Sequence, residues 1–226
     1  MSKQRYDGVC IDYGHGEDTP GKRYRFTDHD DFECREYMTN RITAARLIKL
    51  LLESGRRVYD IVADKEWKLE DVQAADWCWH KLEQSDVGLS ARVAVANKRP
   101  SWLVVSTHSN AIGYQNVGES LSARGACFYT SPGQTASDEV SEALHWAFVK
   151  AFEGEPVHVR RGEMKDGDHD YEANFFILRK TRGSAVLGEV LFFVNYEDAR
   201  YLMSAHGQAV IAQAYYDGVA PFVRLA

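Results

Sequence analysis

Six apolar runs enriched in β-branched residues, at 8–11, 57–62, 102–107, 127–130, 174–178 and 185–194, are separated for the most part by stretches of helical periodicity. Short strands alternating with amphipathic helices constrain a chain to an α/β architecture, here a twisted, mixed but mostly parallel sheet flanked by helices. The clearest helix is predicted over 39–54, where Ile42, Ala45, Ile48, Leu51 and Leu52 recur at three- and four-residue steps and Gly55 supplies the stop. Further helices are predicted over 71–84, which carries Trp77 and Trp79, over 89–97, with Val93 and Ala96 on one face, and over 136–152. The last, over 198–217, turns Ala199, Leu202, Met203, Ala209 and Val210 inward. No internal repeat, low-complexity segment or Pro/Ser linker interrupts the 226 residues, so a single domain over 1–226 is expected, with no appended binding domain.

A net charge of −6 and the lack of a single-sign basic stripe exclude an electrostatically driven nucleic-acid binder. No run approaches the roughly 20 apolar residues of a membrane span, and the opening residues lack the apolar core of a signal peptide. Synthesis in the cytoplasm without membrane attachment is the expectation. Cys10, Cys34, Cys78 and Cys127 form no CxxC or paired spacing and read as reduced thiols among core-like or helical neighbours.

Two of the strands end on a histidine. Asp12-Tyr13-Gly14-His15-Gly16 follows the run 8–11, and Ser106-Thr107-His108-Ser109-Asn110-Ala111 overlaps the end of the run 102–107. Ligands of open α/β sheets bind beyond the carboxyl ends of the strands, so His15 and His108 converge on one edge if both strands are central and parallel. Two neutral imidazoles with a third ligand from another element would suit zinc, and Glu36, just ahead of the first long helix, is placed to point back at the crevice. The plainer alternatives are a polar turn for His15 and a first-turn carboxylate favoured by the helix dipole for Glu36. Glu189 stands inside an otherwise apolar run, where a carboxylate is costly to bury unless paired or functional; desolvation would raise its pKa toward the range of a general base. Its alternative is a solvent-facing position on an edge strand.

Taken in order, these segments resemble the zinc-dependent N-acetylmuramoyl-L-alanine amidases of the type-3 amidase fold, a family of bacterial cell-separation amidases and phage endolysins. Residues 11–16 look like its first histidine motif, and Glu36-Tyr37-Met38-Thr39-Asn40 like its glutamate-x-x-x-asparagine segment. Residues 89–98 are similar to the helix before its second histidine, and 106–111 to that histidine's motif. Phe176-Ile177-Leu178-Arg179, residues 185–190 and Asn195-Tyr196-Glu197-Asp198-Ala199 resemble the segment bearing its catalytic glutamate. The resemblance implies one Zn²⁺ held by His15, Glu36 and His108, with Glu189 as the general base toward the water that zinc activates. It implies bacterial peptidoglycan as substrate, cut between the lactyl group of N-acetylmuramic acid and the first L-alanine of the stem; it implies no protein partner. A phage or prophage endolysin, made without a signal peptide and acting on the wall after release, is the expected setting. Asn110, Tyr114 and Trp77 are candidates for substrate contact, and Trp67 and Trp79 share with the last two the capacity to stack on sugars. The rival readings are a zinc peptidase that cuts within the stem peptide and a non-catalytic peptidoglycan-binding module.

The chain departs from the family's pattern at Tyr13, where proline is usual, at Glu17, where a second glycine is usual, and at Leu191, which replaces a glycine. These changes are expected to alter the lining of the site and not its ligands. Rival ligands are few. Glu33 lacks an asparagine four residues on, and His29 and His169 lie in acidic stretches read as solvated loops. The 166–170 stretch begins like a calcium loop but puts Tyr171 where glycine is needed and Ile177 where a bidentate carboxylate is needed. His80, His145, His158 and His206 are read as helix-face or surface residues, and Arg124-Gly125 as a turn without a role.

Overall fold

Val9–Tyr13 (β1) forms the second of four parallel strands at the centre of the sheet, because it is buried along its whole length and can take a neighbour on each side. The computed structural model describes residues 5–113, 115–162 and 167–226. In chain order β1 is followed by Arg23–Phe26 (β2), Glu33–Arg35 (β3), Glu36–Glu53 (α1), Val58–Asp60 (β4), Lys65–Trp67 (β5), Leu69–Gln73 (α2) and Leu89–Ala96 (α3). Then come Leu103–Asn110 (β6), Val117–Gly118 (β7), Cys127–Thr130 (β8), Asp138–Ala151 (α4), Tyr171–Glu172 (β9), Phe176–Lys180 (α5), Ala185–Phe192 (β10), Tyr196–Met203 (α6) and Ala205–Val219 (α7). The main sheet has the order β5-β4-β1-β6-β10-β8-β9, and a small second sheet has the order β3-β2-β7. Strands β4, β1, β6 and β10 are parallel, while β5 and β8 pair antiparallel to the ends of that block.

Helices α1, α7 and α4 cover one face and contribute Leu47, Ile48, Leu51, Leu144, Phe148, Ile211 and Tyr215 to the larger core cluster. Helices α3 and α5 cover the other face, where Val93, Ala96, Ile177 and Leu178 pack on Cys10, Val104 and Leu187. Among the described residues no helix is long and apolar enough to cross a membrane. Cys10, Cys34 and Cys127 are buried free thiols, and Cys78 is a free, exposed thiol.

Three predicted elements differ. Residues 174–178 begin the short helix α5 instead of forming a strand, since Ile177 and Leu178 are adjacent buried residues and a five-residue apolar run carries no decisive period. The helix expected over 71–84 is reduced to α2 and one 3-10 turn at Trp79–Lys81. Long-range contacts win there: Trp77 packs edge-on against Trp67 at 4.9 Å, and the carbonyls of Glu83, Gln84 and Ser85 are taken by Arg41 instead of by helix amides. The helix expected over 198–217 is two helices, split at Ser204, whose extended backbone and side-chain bond to the Gly207 N–H cap α7.

Candidate metal centre and its surroundings

Parallel pairing of β1 with β6 sets Tyr13 beside Thr107; β1 ends there, while β6 runs on through His108 to Asn110, so the turn carrying His15 leaves the sheet beside a His108 that is still on its strand and not past its end. Gly14 is needed there: a Cβ on it would stand 1.8 Å from Cε1 of His108, so the imidazole lies directly over its backbone. His15 adopts a left-handed backbone (φ 64°), which a non-glycine residue enters at a cost of about 1–2 kcal/mol and which turns its ring toward His108. The two rings meet edge-on with centroids 5.1 Å apart.

Glu36 supplies the third group. It is the first residue of α1 and not a residue ahead of it, is 1% exposed, and its N–H is held by the carbonyl of Lys22. Its Oε1 lies 3.4 Å from Nε2 of His15 and 3.1 Å from Nδ1 of His108. The three residues present ligand atoms that all fall within 4.8 Å of one another. Ligands about 2.0–2.1 Å from a tetrahedral ion are about 3.3 Å apart, so both Glu36–His separations suit a single zinc. Oε2 of Glu36 accepts no hydrogen bond, although the Lys22 ammonium stands 3.5 Å away.

Glu189 completes the group. Register places it directly beside His108 on the neighbouring strand β10, half-buried, with Oε2 inaccessible and without a hydrogen-bond partner. Burial pushes its pKa up to about 7; the charge on His108 opposes the rise and the charge on Glu36 adds to it. Burial likewise lowers His15 to about 4, leaving a neutral ring. For Glu36, burial disfavours the charge, but the hydrogen bond from His108 and the electrostatic effect of His15, His108 and Lys22 outweigh it, and its pKa falls below the ordinary value. Two carboxylates and two imidazoles make a cluster of nitrogen and oxygen donors, chemistry that fits a divalent cation.

The first turns of α1 brace this group. Asn40 Nδ2 donates to the Gly14 carbonyl at 3.0 Å, Thr39 and Ser109 share a hydroxyl contact of 2.9 Å, and Arg41 Nη1 donates to the His15 carbonyl at 2.8 Å. Arg41 is fully buried, its other bonds go to backbone carbonyls, and its guanidinium lies over the rings of Tyr13 and Tyr37. Beneath, Asp12 accepts from Arg92 at 2.8 Å and from Ser106 at 2.5 Å. Neither buried arginine was anticipated from sequence, and the available signal was a charge on an otherwise inward helix face. Lys22 left no such signal.

The remaining sequence candidates divide. Asn110 lies at the rim, 3.8 Å from Sγ of Cys127. Trp77 borders a groove of about 510 Å³ along α1 with Met38, Ile42 and Met203, away from the ligand atoms. Trp67 is buried and bonded to Asp60, and Trp79 stacks on His80. Tyr114 and Asp166 lie outside the described residues. Glu33 is engaged by Arg35 at 2.7 Å and takes no part in the cluster. His145 lies on a helix face as expected, on the buried side of α4, stacked on His169, whose Nδ1 contacts Glu142. Arg124-Gly125 does have a task, since both donate to the buried carboxylate of Asp198. Tyr13 corrects another expectation: fully buried, it donates to Asp60 at 2.8 Å and lines nothing. Leu191 sits at φ 63° in the bulge that follows Glu189, a backbone conformation that glycine adopts without strain.

No curated protein matches this sequence. Solved structures share its fold over nearly the whole chain. The catalytic domain of CwlV, an N-acetylmuramoyl-L-alanine amidase from Bacillus (Paenibacillus) polymyxa var. colistinus, is similar with a TM-score of 0.67 at 23% identity, covering 95% of this chain and 96% of that one. An N-acetylmuramoyl-L-alanine amidase from Clostridium difficile 630 gives 0.66 at 20% identity, covering 96% of each chain. The catalytic domain of the CD27L endolysin, which targets Clostridia difficile, gives 0.59 at 17% identity, covering 97% and 99%. Residues 9–221 match the N-acetylmuramoyl-L-alanine amidase family of the type-3 fold, and the chain belongs to that family.

Proposed function

We propose that the protein is a zinc-dependent peptidoglycan hydrolase that cuts the amide between the muramic lactyl group and L-alanine. The observation that carries this reading is the half-buried Glu189, with an orphaned oxygen and a pKa near 7, paired in register with one member of a His-Glu-His cluster. His15, Glu36 and His108 would hold one zinc. Bound zinc supplies Lewis acidity, polarising the scissile carbonyl and making water nucleophilic near neutral pH. Glu189 takes a proton from the attacking water as the new C–O bond forms, then delivers it to the alanine nitrogen as the C–N bond breaks. Asn40 and Arg41, by holding the carbonyls of Gly14 and His15, fix the turn that aims His15. The setting we propose is lysis of a host wall by an endolysin, which the likeness to the CD27L catalytic domain supports.

The test is metal content together with product mass on isolated peptidoglycan, before and after chelation and zinc return. One equivalent of zinc and chelator-sensitive, zinc-restored release of intact stem peptides are expected. Shortened peptides would replace this reading with a stem peptidase, and zinc-loaded protein that binds walls without cutting them would leave a binding module.

A further inference from the structure

Four neighbouring chain segments meet at one level of the sheet beside the candidate metal centre. His108 on β6 pairs with Glu189 on β10, and Glu189 pairs with Cys127 on β8. Ala126 in turn forms a parallel bridge with Val159, reinforced by the bond from the Arg160 N–H to the Ala126 carbonyl at 2.8 Å. Side chains alternate between faces along a strand and paired residues share a face, so His108, Glu189, Cys127 and Arg160 form one row on one side of the sheet. Asn110 and Tyr129, two residues beyond His108 and Cys127, belong to the same side, and both touch Sγ of Cys127 at 3.8 Å.

Arg160 is the cation at the end of this row. It is half-buried, its guanidinium lies 5.6 Å from the ring centre of Phe192, and the neighbouring Tyr171 and Tyr129 hold its charge in place by raising its pKa. Among the described residues it makes no ion pair. On the opposite flank the loop after His15 carries Glu17 and Asp18, which packs on Asp86, and Lys22, whose ammonium stands 3.5 Å from the Glu36 carboxylate. Lys22 is engaged with a site carboxylate, whereas Arg160 faces the row without an ion pair, so a substrate carboxylate on that side of the scissile bond meets a cation there.

We propose that Arg160, with the hydroxyls of Tyr171 and Tyr129 beside it, is the specificity residue that reads a free carboxylate on the second residue of the stem peptide. This deepens the amidase reading and rests on it. Beyond the scissile amide the stem continues through L-alanine to a γ-linked D-glutamate, whose α-carboxyl is either free or present as the carboxamide. That carboxyl lies roughly 6 Å from the scissile nitrogen in an extended chain. Glu189 and Arg160 are separated by two strand spacings, about 10 Å between backbones, a gap the long arginine side chain and the substrate can close together. A planar guanidinium takes a carboxylate in two parallel hydrogen bonds and gains much less from a neutral amide.

The experiment compares two soluble muramoyl peptides, identical except for a free or amidated second residue, as substrates of the zinc-loaded protein and of Arg160→Met and Arg160→Lys. The corresponding alanyl dipeptides are titrated in parallel by calorimetry. The parent protein should prefer the free carboxylate by roughly tenfold or more in kcat/KM, mostly through KM. In Arg160→Met that ratio should fall toward one, and Arg160→Lys should keep part of it. Equal use of the two substrates by the parent, a parent preference for the amide, or an undiminished ratio in Arg160→Met overturns the proposal. Cleavage of neither substrate overturns the amidase reading instead, and the dipeptide titrations then decide Arg160 on binding alone.

Discussion

Two sets of buried carboxylates lie close together at the carboxyl end of the central strands, and they are treated in opposite ways. In the layer beneath the site both oxygens of Asp12 are engaged, by Arg92 and Ser106, and both oxygens of Asp60, by the N–H groups of Val62 and Ala63, the Tyr13 hydroxyl and the Trp67 indole. In the site itself Glu36 and Glu189 each keep one buried oxygen without a hydrogen-bond partner. An unpaired buried acceptor is destabilising, by about 1–3 kcal/mol for a neutral group and more for a charged one. A fold that satisfies Asp12 and Asp60 completely could have satisfied the other two. The contrast separates carboxylates that build the platform from carboxylates left with an open acceptor, which the proposed zinc and proton-transfer roles would use.

The sharpest way to break this contrast is Glu189→Gln. Cleavage of peptidoglycan should fall by about 10²–10⁴-fold, the usual scale for losing a general base, while zinc content stays at the parent level. The urea midpoint should hold or rise, since a buried carboxylate without a partner has been neutralised; a variant that lyses walls at the parent rate would remove Glu189 from the mechanism. The platform should answer in the reverse sense. Arg92→Met leaves Asp12 buried and unpaired, and urea unfolding should show a loss of about 3–5 kcal/mol, far larger than for any change at Glu189.

Asp12→Asn sharpens the same point through pH. The pKa of Asp12 is set by burial, which would raise it, against the larger combined effect of Arg92, His108 and Ser106, and the net direction is down. A depressed carboxylate stabilises the fold above its unfolded pKa, near 3.8, and that contribution disappears as pH falls through the folded value. The parent should therefore exceed Asp12→Asn in stability at neutral pH, and the two should converge in acid; a gap independent of pH would assign the effect to packing alone. The smallest change expected is from Tyr13→Phe, which removes the bond to Asp60 and the acceptor of the Glu83 N–H. About 1–2 kcal/mol should be lost, read by thermal or urea unfolding, with zinc affinity nearly unaltered because no ligand moves.

Much of the candidate site was legible in the sequence because its residues sit at punctuation. His15 and His108 each follow an apolar run, Glu36 stands just ahead of the clearest helical period, and Glu189 interrupts an apolar run, so a local pattern marks every one of them; the pattern did not show that β6 continues through His108 or that α1 begins at Glu36 itself. Tyr13, Arg41 and Arg92 were not legible, and neither was the row from His108 to Arg160. Their roles depend on which strand lies beside which, and on carbonyls of residues 83–85 that become acceptors only after the chain between α2 and α3 has been pinned. The misjudged elements have the same origin. Residues 71–84 carry a usable helical period, yet aromatic packing of Trp67 on Trp77 and the grip of Arg41 hold them irregular. The run at 174–178 is too short for any period to decide.

By itself the sequence determined the alternation of strands and helices, the histidines that follow two apolar runs and the helix just beyond Glu36, because hydrophobic period and glycine act over a few residues. Only the tertiary structure decided that Glu36 Oε1 would face both imidazoles, that Glu189 would lie beside His108, and which buried carboxylates would be satisfied. Those outcomes are set by strand order and register, and register joins residues as far apart as His108 and Glu189 through hydrogen bonds that no local pattern encodes.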